Sequence, residues 1–275
     1  MCFYIKSVVY SSKELWMVNI MKKTDFIDVN RKGWNELIKA NKPFSNTILP
    51  EYGVSLRKTE EDFLLMGDIA GKKVLDLGCG AGESLEYLYN KGASEVWGID
   101  ISSEQINKAK SRFPQFENNF IVSPMEEELN IPNGYFDYAI SIFSIGYTYS
   151  LIDTFKNVYK HLNDKGAFIV SWTHPFYYCL DVLDGKVFIR KSYFDEESEM
   201  IKKGPDKVSL MQNNLMISTM INVAREAGFY VDTMLEEESV MQGDIVNGGY
   251  VSSFWKKEKT VNCPSTVIFK FKKIN

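Results

Sequence analysis

Histidine and cysteine are scarce: two histidines and four cysteines in 275 residues. Cys2, Cys79, Cys179 and Cys263 stand far apart with no Cys-x-x-Cys pair. The sequence therefore supports neither a tetrahedral zinc site nor a disulfide framework, and the four read as reduced thiols. Long apolar runs are missing as well. Lys6 interrupts the apolar letters at the N-terminus, polar residues 11–14 follow too soon for a secretory signal, and no later stretch reaches the about 18 apolar residues of a membrane span. Nor is there an excess of positive charge: 32 Lys and Arg stand against 36 Asp and Glu, a net charge of −4. Nucleic acid would call for a basic face, for which the sequence offers only a local patch at Lys256, Lys257 and Lys259. These absences predict a cytoplasmic protein with no metal, no membrane and no nucleic acid as partner. What is present is an ordinary globular composition, 45% apolar and 25% charged, in a chain long enough for a large α/β core.

Residues 1–20 show no period and are set aside. Trp34, Leu37 and Ile38 are spaced for an amphipathic helix over 28–42, stopped by Asn41 and Pro43. Thr59 then caps a second helix that carries Phe63, Leu64, Leu65 and Ile69 up to Gly71. From 74 to 172 the periods alternate, with strands at 74–77, 96–99, 120–122, 138–143 and 167–172 and helices at 83–89, 102–112 and 151–162. Such alternation implies right-handed crossovers and a parallel sheet. An aromatic, loop-rich stretch follows His174 and Pro175, with short strands expected at 187–189 and 191–194. Helical spacing returns at 215–227, and strands at 230–236 and 266–272 are expected to pair antiparallel. The fold class is α/β: a doubly wound, Rossmann-like, mostly parallel sheet with an antiparallel C-terminal strand. Residues 1–70 form an N-terminal extension and helical lid; 71–275 form the main domain, with an insertion after the fifth strand at about 174–214 that caps the substrate.

The most informative segment is Val74-Leu75-Asp76-Leu77-Gly78-Cys79-Gly80-Ala81-Gly82-Glu83, an apolar strand that runs through a glycine loop into a helix. Gly78 and Gly80 let a ligand approach the main chain at the carboxyl edge of the sheet. The spacing is Gly-x-Gly-x-Gly, and Glu83 opens the helix where a dinucleotide fold would receive pyrophosphate. A ligand with a cationic group fits better there. Asp100 ends the second strand, placed to accept both hydroxyls of a ribose. Strand-end capping is the plainer role open to Asp76 and Asp100.

On these motifs the chain resembles class I S-adenosylmethionine-dependent methyltransferases, the bacterial small-molecule group in particular, from about residue 73 to 172. The resemblance implies S-adenosyl-L-methionine as cofactor. Asp76 and the loop at Gly78, Cys79 and Gly80 match the positions around its methionine portion, Asp100 matches the ribose-binding acid, and Ile101 lies beside the adenine. Family members carry an acid followed by a small residue in the next segment. Here the sequence is Ser123-Pro124-Met125-Glu126, so only Met125 and Glu126 carry over. Ser141 falls where the fourth strand borders the cofactor, and Trp34 and Tyr52 are placed over it as part of the lid.

The implied reaction moves a methyl group to an N or O atom of a small-molecule acceptor, aromatic or apolar in kind. His174, at the carboxyl edge after the fifth strand, is the candidate base, or else a structural hydrogen-bonding residue. His161 reads as a favourable charge at a helix C-terminus. Phe176, Tyr177, Tyr178, Phe188, Tyr193 and Phe194, with Tyr147 and Tyr149, either wall the acceptor pocket or form the insertion's own core. Asp195, Glu196, Glu197 and Glu199 either attract a cationic substrate or form a solvated face. No Asn/Asp-Pro-Pro-aromatic element and no Pro-Cys follows the fourth strand, which sets aside the nucleobase enzymes. Two other readings stay open: a nicotinamide-dependent oxidoreductase, and a module that binds S-adenosylmethionine without catalysis.

Overall fold

The computed structural model describes residues 22–40, 47–204, 206–240, 246–247, 250–251 and 254–274. The chain opens with α1 (Lys23–Lys39) and α2 (Glu60–Phe63), then alternates through β1 (Lys73–Leu77), α3 (Glu83–Asn90), β2 (Glu95–Asp100), α4 (Ser103–Arg112) and β3 (Phe120–Val122). β4 (Phe136–Ile142), α5 (Leu151–His161) and β5 (Leu162–Thr173) complete the alternating part. A short helix α6 (Pro175–Cys179) leads into two hairpins: β6 (Leu180–Leu183) with β7 (Lys186–Ile189), and β8 (Glu199–Lys203) with β9 (Val208–Gln212). α7 (Ile217–Glu226), β10 (Phe229–Glu236), the two-residue strands β11 (Val246–Asn247) and β12 (Tyr250–Val251), α8 (Lys257–Thr260) and β13 (Thr266–Lys273) follow.

Seven strands form one sheet in the order β10-β13-β5-β4-β1-β2-β3. All pairings are parallel except those of β13, which runs antiparallel to both β5 and β10. Alternate residues feed opposite cores, as strand pleating requires. Leu75 and Leu77 of β1 join Phe155, Phe168 and Phe229 on one face, and Val74 joins Leu85 and Ile106 on the other. β1 is therefore buried on both sides, and its carboxyl end opens where the strand order reverses, between β1 and β4.

Two expected elements differ. α2 stops at Phe63, because Leu64 takes a left-handed conformation and the Glu60 carboxylate accepts the N–H groups of Leu65 at 3.1 Å and Met66 at 2.8 Å. Residues 191–194 are not a strand; the Ser192 hydroxyl accepts the Phe194 N–H at 3.2 Å and closes a turn instead. The expected helix stop at Asn41 and Pro43, and everything before Lys22, lie outside the described residues. Among the described residues no helix is long and apolar enough to cross a membrane. Cys79, Cys179 and Cys263 are free thiols.

α1 is fixed to the body by its polar residues. The buried Asn30 amide pairs with Met211 of β9 as a strand would, donating to its carbonyl at 3.0 Å and accepting its N–H at 2.8 Å. Asn35 accepts the Ser102 hydroxyl at 2.7 Å and the Glu104 N–H at 3.2 Å, at the start of α4. α1 thus bridges β9 and the α/β body.

Candidate active site

The site forms where β1 ends. The chain turns into α3 through Gly78, Gly80 and Gly82, all at positive φ (78°, 56° and 84°). At Gly78 glycine is required twice over, since a Cβ there would lie 2.3 Å from the Ser144 Cβ. The Ile99 carbonyl accepts the N–H groups of Gly78 at 2.7 Å and Cys79 at 3.0 Å. Asp100, at the end of β2, accepts the Gly80 N–H at 2.9 Å with one oxygen and the Ser102 N–H at 2.8 Å with the other. From α4, Arg112 donates to the Ala81 carbonyl at 2.9 Å, to Glu83 at 3.2 Å, and to Glu86. Ser144, after β4, donates to the Leu77 carbonyl at 2.6 Å, and Ser141 in turn lies 2.6 Å from the Ser144 hydroxyl.

These contacts frame a cavity. Of the residues expected from sequence, Asp76, Gly78, Cys79, Gly80, Asp100, Ile101, Met125 and Glu126 line it. Its electrostatics are one-sided: Asp76, Glu83, Asp100 and Glu126 face it, and no lining residue is basic. Asp76 is 3% exposed, and its carboxyl group makes no hydrogen bond among the described residues; burial first, then the nearby Asp100 and Glu83, push it well above the usual range. Burial raises Asp100 to about 6, against the opposing pull of the Ser102 and Gly80 N–H groups. The Gln105 carboxamide oxygen, also on this wall, is buried without a partner. An unpaired carboxyl group and an unpaired acceptor oxygen suit a ligand that brings a positive charge and hydrogen-bond donors.

Four expectations are corrected. Tyr52 does not line the cavity; it is fully buried, and its hydroxyl donates to Glu60 at 2.8 Å. Ser141 lies one layer beneath, and the serine at the wall is Ser144. His174 faces neither large cavity. Its Nδ1 accepts the Phe176 N–H at 3.2 Å, capping α6, so the proton sits on Nε2 and is donated to Glu236 at 2.7 Å. Burial lowers its pKa, and both nitrogens are committed to holding the chain. His161 is likewise buried, with burial lowering its pKa and its Nδ1 3.1 Å from the Pro132 carbonyl oxygen, so it is a core imidazole and not a surface charge. Glu126 reaches the wall with both oxygens occupied, by the Thr148 hydroxyl and the Tyr149 N–H, each at 3.1 Å.

A second cavity adjoins the first, and Trp34, Thr47, Phe143 and Tyr147 line both. Trp34 and Trp172 each meet the Tyr147 ring edge to face, at 5.2 and 5.3 Å. Of the aromatic residues expected here, Tyr147 and Tyr178 are present; Phe176, Phe188 and Phe194 are exposed, and Tyr177 is buried beside Phe254 and Trp255. The remaining rings of the wall, Trp172, Phe254 and Trp255, come from segments far apart in sequence. The acidic run is divided: Glu196 accepts the Met216 N–H and the Thr219 hydroxyl at 2.8 Å each and so starts α7, whereas Glu199 reaches the second cavity.

Sheet order, the antiparallel β13 and the glycine loop at the strand reversal define a class I, Rossmann-like methyltransferase fold. Residues 74–166 match the family described as methyltransferase domain. A structure of an S-adenosylmethionine-dependent methyltransferase from Mesorhizobium loti superposes with a TM-score of 0.61 at 19% identity, covering 77% of this chain and 95% of that one. An uncharacterized protein of Haemophilus influenzae is 32% identical over 120 residues, 42% of this chain and 47% of that protein. The magnesium-protoporphyrin O-methyltransferase of Rhodobacter capsulatus is 29% identical over 175 residues, 62% of this chain and 74% of that protein. The chain spans less than half the length of the Haemophilus protein and of a Methanocaldococcus jannaschii relative, at 47% and 37%. The donors and acceptors of the first cavity fit S-adenosylmethionine, whose sulfonium and ammonium are cationic and whose ribose carries two hydroxyl donors.

Proposed function

We propose that this protein transfers a methyl group from S-adenosylmethionine to an N or O atom of a small aromatic acceptor. The observation that carries this reading is the shared wall: Trp34, Thr47, Phe143 and Tyr147 line both the cavity that fits the cofactor and the aromatic cavity beside it. A ligand in each would meet at that wall. Bound S-adenosylmethionine supplies a methyl carbon on a sulfonium, whose C–S bond breaks as the acceptor's lone pair forms the new bond, the electron pair passing to sulfur.

The chain's own residues bind and orient. Asp100 accepts the ribose hydroxyls through the lone pairs left by Gly80 and Ser102. Asp76 and Glu83 face the cationic end, and Ile101 and Met125 flank the base. Gln105 offers its unpaired oxygen to a donor. α1, bonded at Asn30 and Asn35, places Ile27 and Trp34 on the wall of the first cavity. Holding the two reactants in near-attack geometry accounts for roughly 7–11 kcal/mol of barrier lowering, so no side chain has to enter the bond changes.

Isothermal titration with S-adenosylmethionine, S-adenosylhomocysteine and NADH, on wild type and Asp100→Ala, tests the reading. Binding of the two sulfur compounds, lost in the variant, is expected. Saturable NADH binding without them would replace it with a nicotinamide enzyme. Cofactor binding with no turnover of any aromatic amine, phenol or acid would reduce it to a binding module.

A further inference from the structure

The two cavities carry opposite charge. Four acids and no Lys or Arg line the first; Arg190, Lys202, Lys203, Lys256 and Lys259 line the second, against Asp181 and Glu199. Arg190 is 3.4 Å from Glu199, so that pair cancels, and basic residues still outnumber the one remaining acid, Asp181, in the lining.

Lys259 is the decisive residue. In sequence it belongs to a basic surface patch, yet in the fold it is 2% exposed. Its Nζ donates to the Phe254 carbonyl at 3.2 Å and lies 3.8 Å from the Tyr177 ring centroid and 4.3 Å from that of Phe254. Among the described residues no carboxylate makes a salt bridge with it, although the Asp181 carboxylate lies near enough to favour its charged form. Lys203, on β8, stands 4.8 Å from the ring centroid of Trp34, the residue that borders both cavities. Burial lowers both ammonium groups to about 8. A buried cation costs free energy unless something pairs with it, and for Lys259 a carbonyl and ring faces supply only part of that. An anion entering the second cavity would supply the rest.

We infer that the acceptor is anionic: a planar aromatic small molecule whose carboxylate or acidic hydroxyl is held in the second cavity by Lys259 and Lys203. This rests on the methyltransferase reading and narrows its substrate class. Both histidines are committed elsewhere in the fold, so neither is placed to take a proton from the acceptor.

The test compares 2-naphthoate with its neutral isostere 2-naphthamide, titrated by calorimetry into wild type saturated with S-adenosylhomocysteine, then into Lys259→Met and Lys203→Met. The naphthoate is expected to bind wild type at least about tenfold more tightly, as a charge-assisted hydrogen bond implies. That preference should shrink in each variant, with S-adenosylhomocysteine affinity as the control for folding. Equal affinity for the amide, no binding of the naphthoate, or a preference untouched in both folded variants would overturn the inference. If S-adenosylhomocysteine fails to bind wild type, the methyltransferase reading falls; the naphthoate comparison on the unliganded protein still decides the charge of the second cavity's ligand.

Discussion

The carboxylate of Asp100 accepts the Gly80 N–H at 2.9 Å, so the end of the second strand fastens the loop that leaves the first. One side chain thereby shapes the floor of the cavity and presents its remaining lone pairs to it. Because burial raises its pKa to about 6, that function depends on pH. Below about 6 the unliganded protein carries Asp100 protonated, with one acceptor site turned into a donor. Ribose hydroxyls favour the ionised form, so binding must expel that proton. S-adenosylhomocysteine affinity is expected to rise with pH up to about 6, by up to about tenfold per unit, and to level off above it. Calorimetry from acid to neutral pH measures this; affinity that is flat across the range would refute it.

Asp76 predicts a trade between stability and binding. Its carboxyl group is buried, without a hydrogen bond among the described residues, and close to Asp100 and Glu83. An acid whose pKa is raised in the fold destabilises the fold above its unfolded value, and the penalty fades as pH falls through the folded value. Asp76→Asn removes that ionisable group. The unliganded variant should gain about 1 kcal/mol or more, a rise in melting temperature of about 2–4 °C, while its affinity for S-adenosylmethionine falls. Thermal melts with and without ligand separate the two effects, and a variant that melts lower and binds as before would contradict both halves.

What could be read from the sequence was what is local in the chain. A strand, a glycine turn, a helix and an acid ending the next strand follow in register, and that order alone locates Asp76, the loop and Asp100. Ser144 escaped because its importance depends on Leu77, 67 residues earlier, whose carbonyl it takes up. The places of Tyr52 and His174 depend on distant partners in the same way. An aromatic residue before the first strand, or an imidazole after the fifth, does not announce that its partner is Glu60 or Glu236. Lys259 looked like a surface charge because its neighbours Lys256 and Lys257 are charged too. Only the packing of α8 against β6 and β7 turns it inward.

His174 should behave as a structural residue. His174→Ala removes the cap of α6 and the contact with Glu236, at a cost of about 1–3 kcal/mol in stability. S-adenosylhomocysteine affinity should stay within a few-fold of wild type. Once an acceptor is known, the pH profile of kcat should be unmoved. Loss of an ionisation from that profile in a well-folded variant would restore the histidine as the base.

Gly78 offers the sharpest test of the loop, because its surroundings separate two costs. Its φ of 78° is unfavourable for any residue with a Cβ, and that Cβ would lie 2.3 Å from the Cβ and 2.7 Å from the Oγ of Ser144. Gly134 has a similar positive φ of 59°, but a Cβ there would meet nothing within 4 Å. Gly134→Ala should therefore lose only the conformational term, about 1–2 kcal/mol, with cofactor affinity intact. Gly78→Ala should lose that and the clash as well, pushing Ser144 off the Leu77 carbonyl and abolishing S-adenosylhomocysteine binding. Adding Ser144→Gly to Gly78→Ala removes the clashing atoms and should recover part of the stability, though not the hydrogen bond to Leu77. Equal losses in the two single variants would mean that the close approach of Ser144 does not constrain the loop.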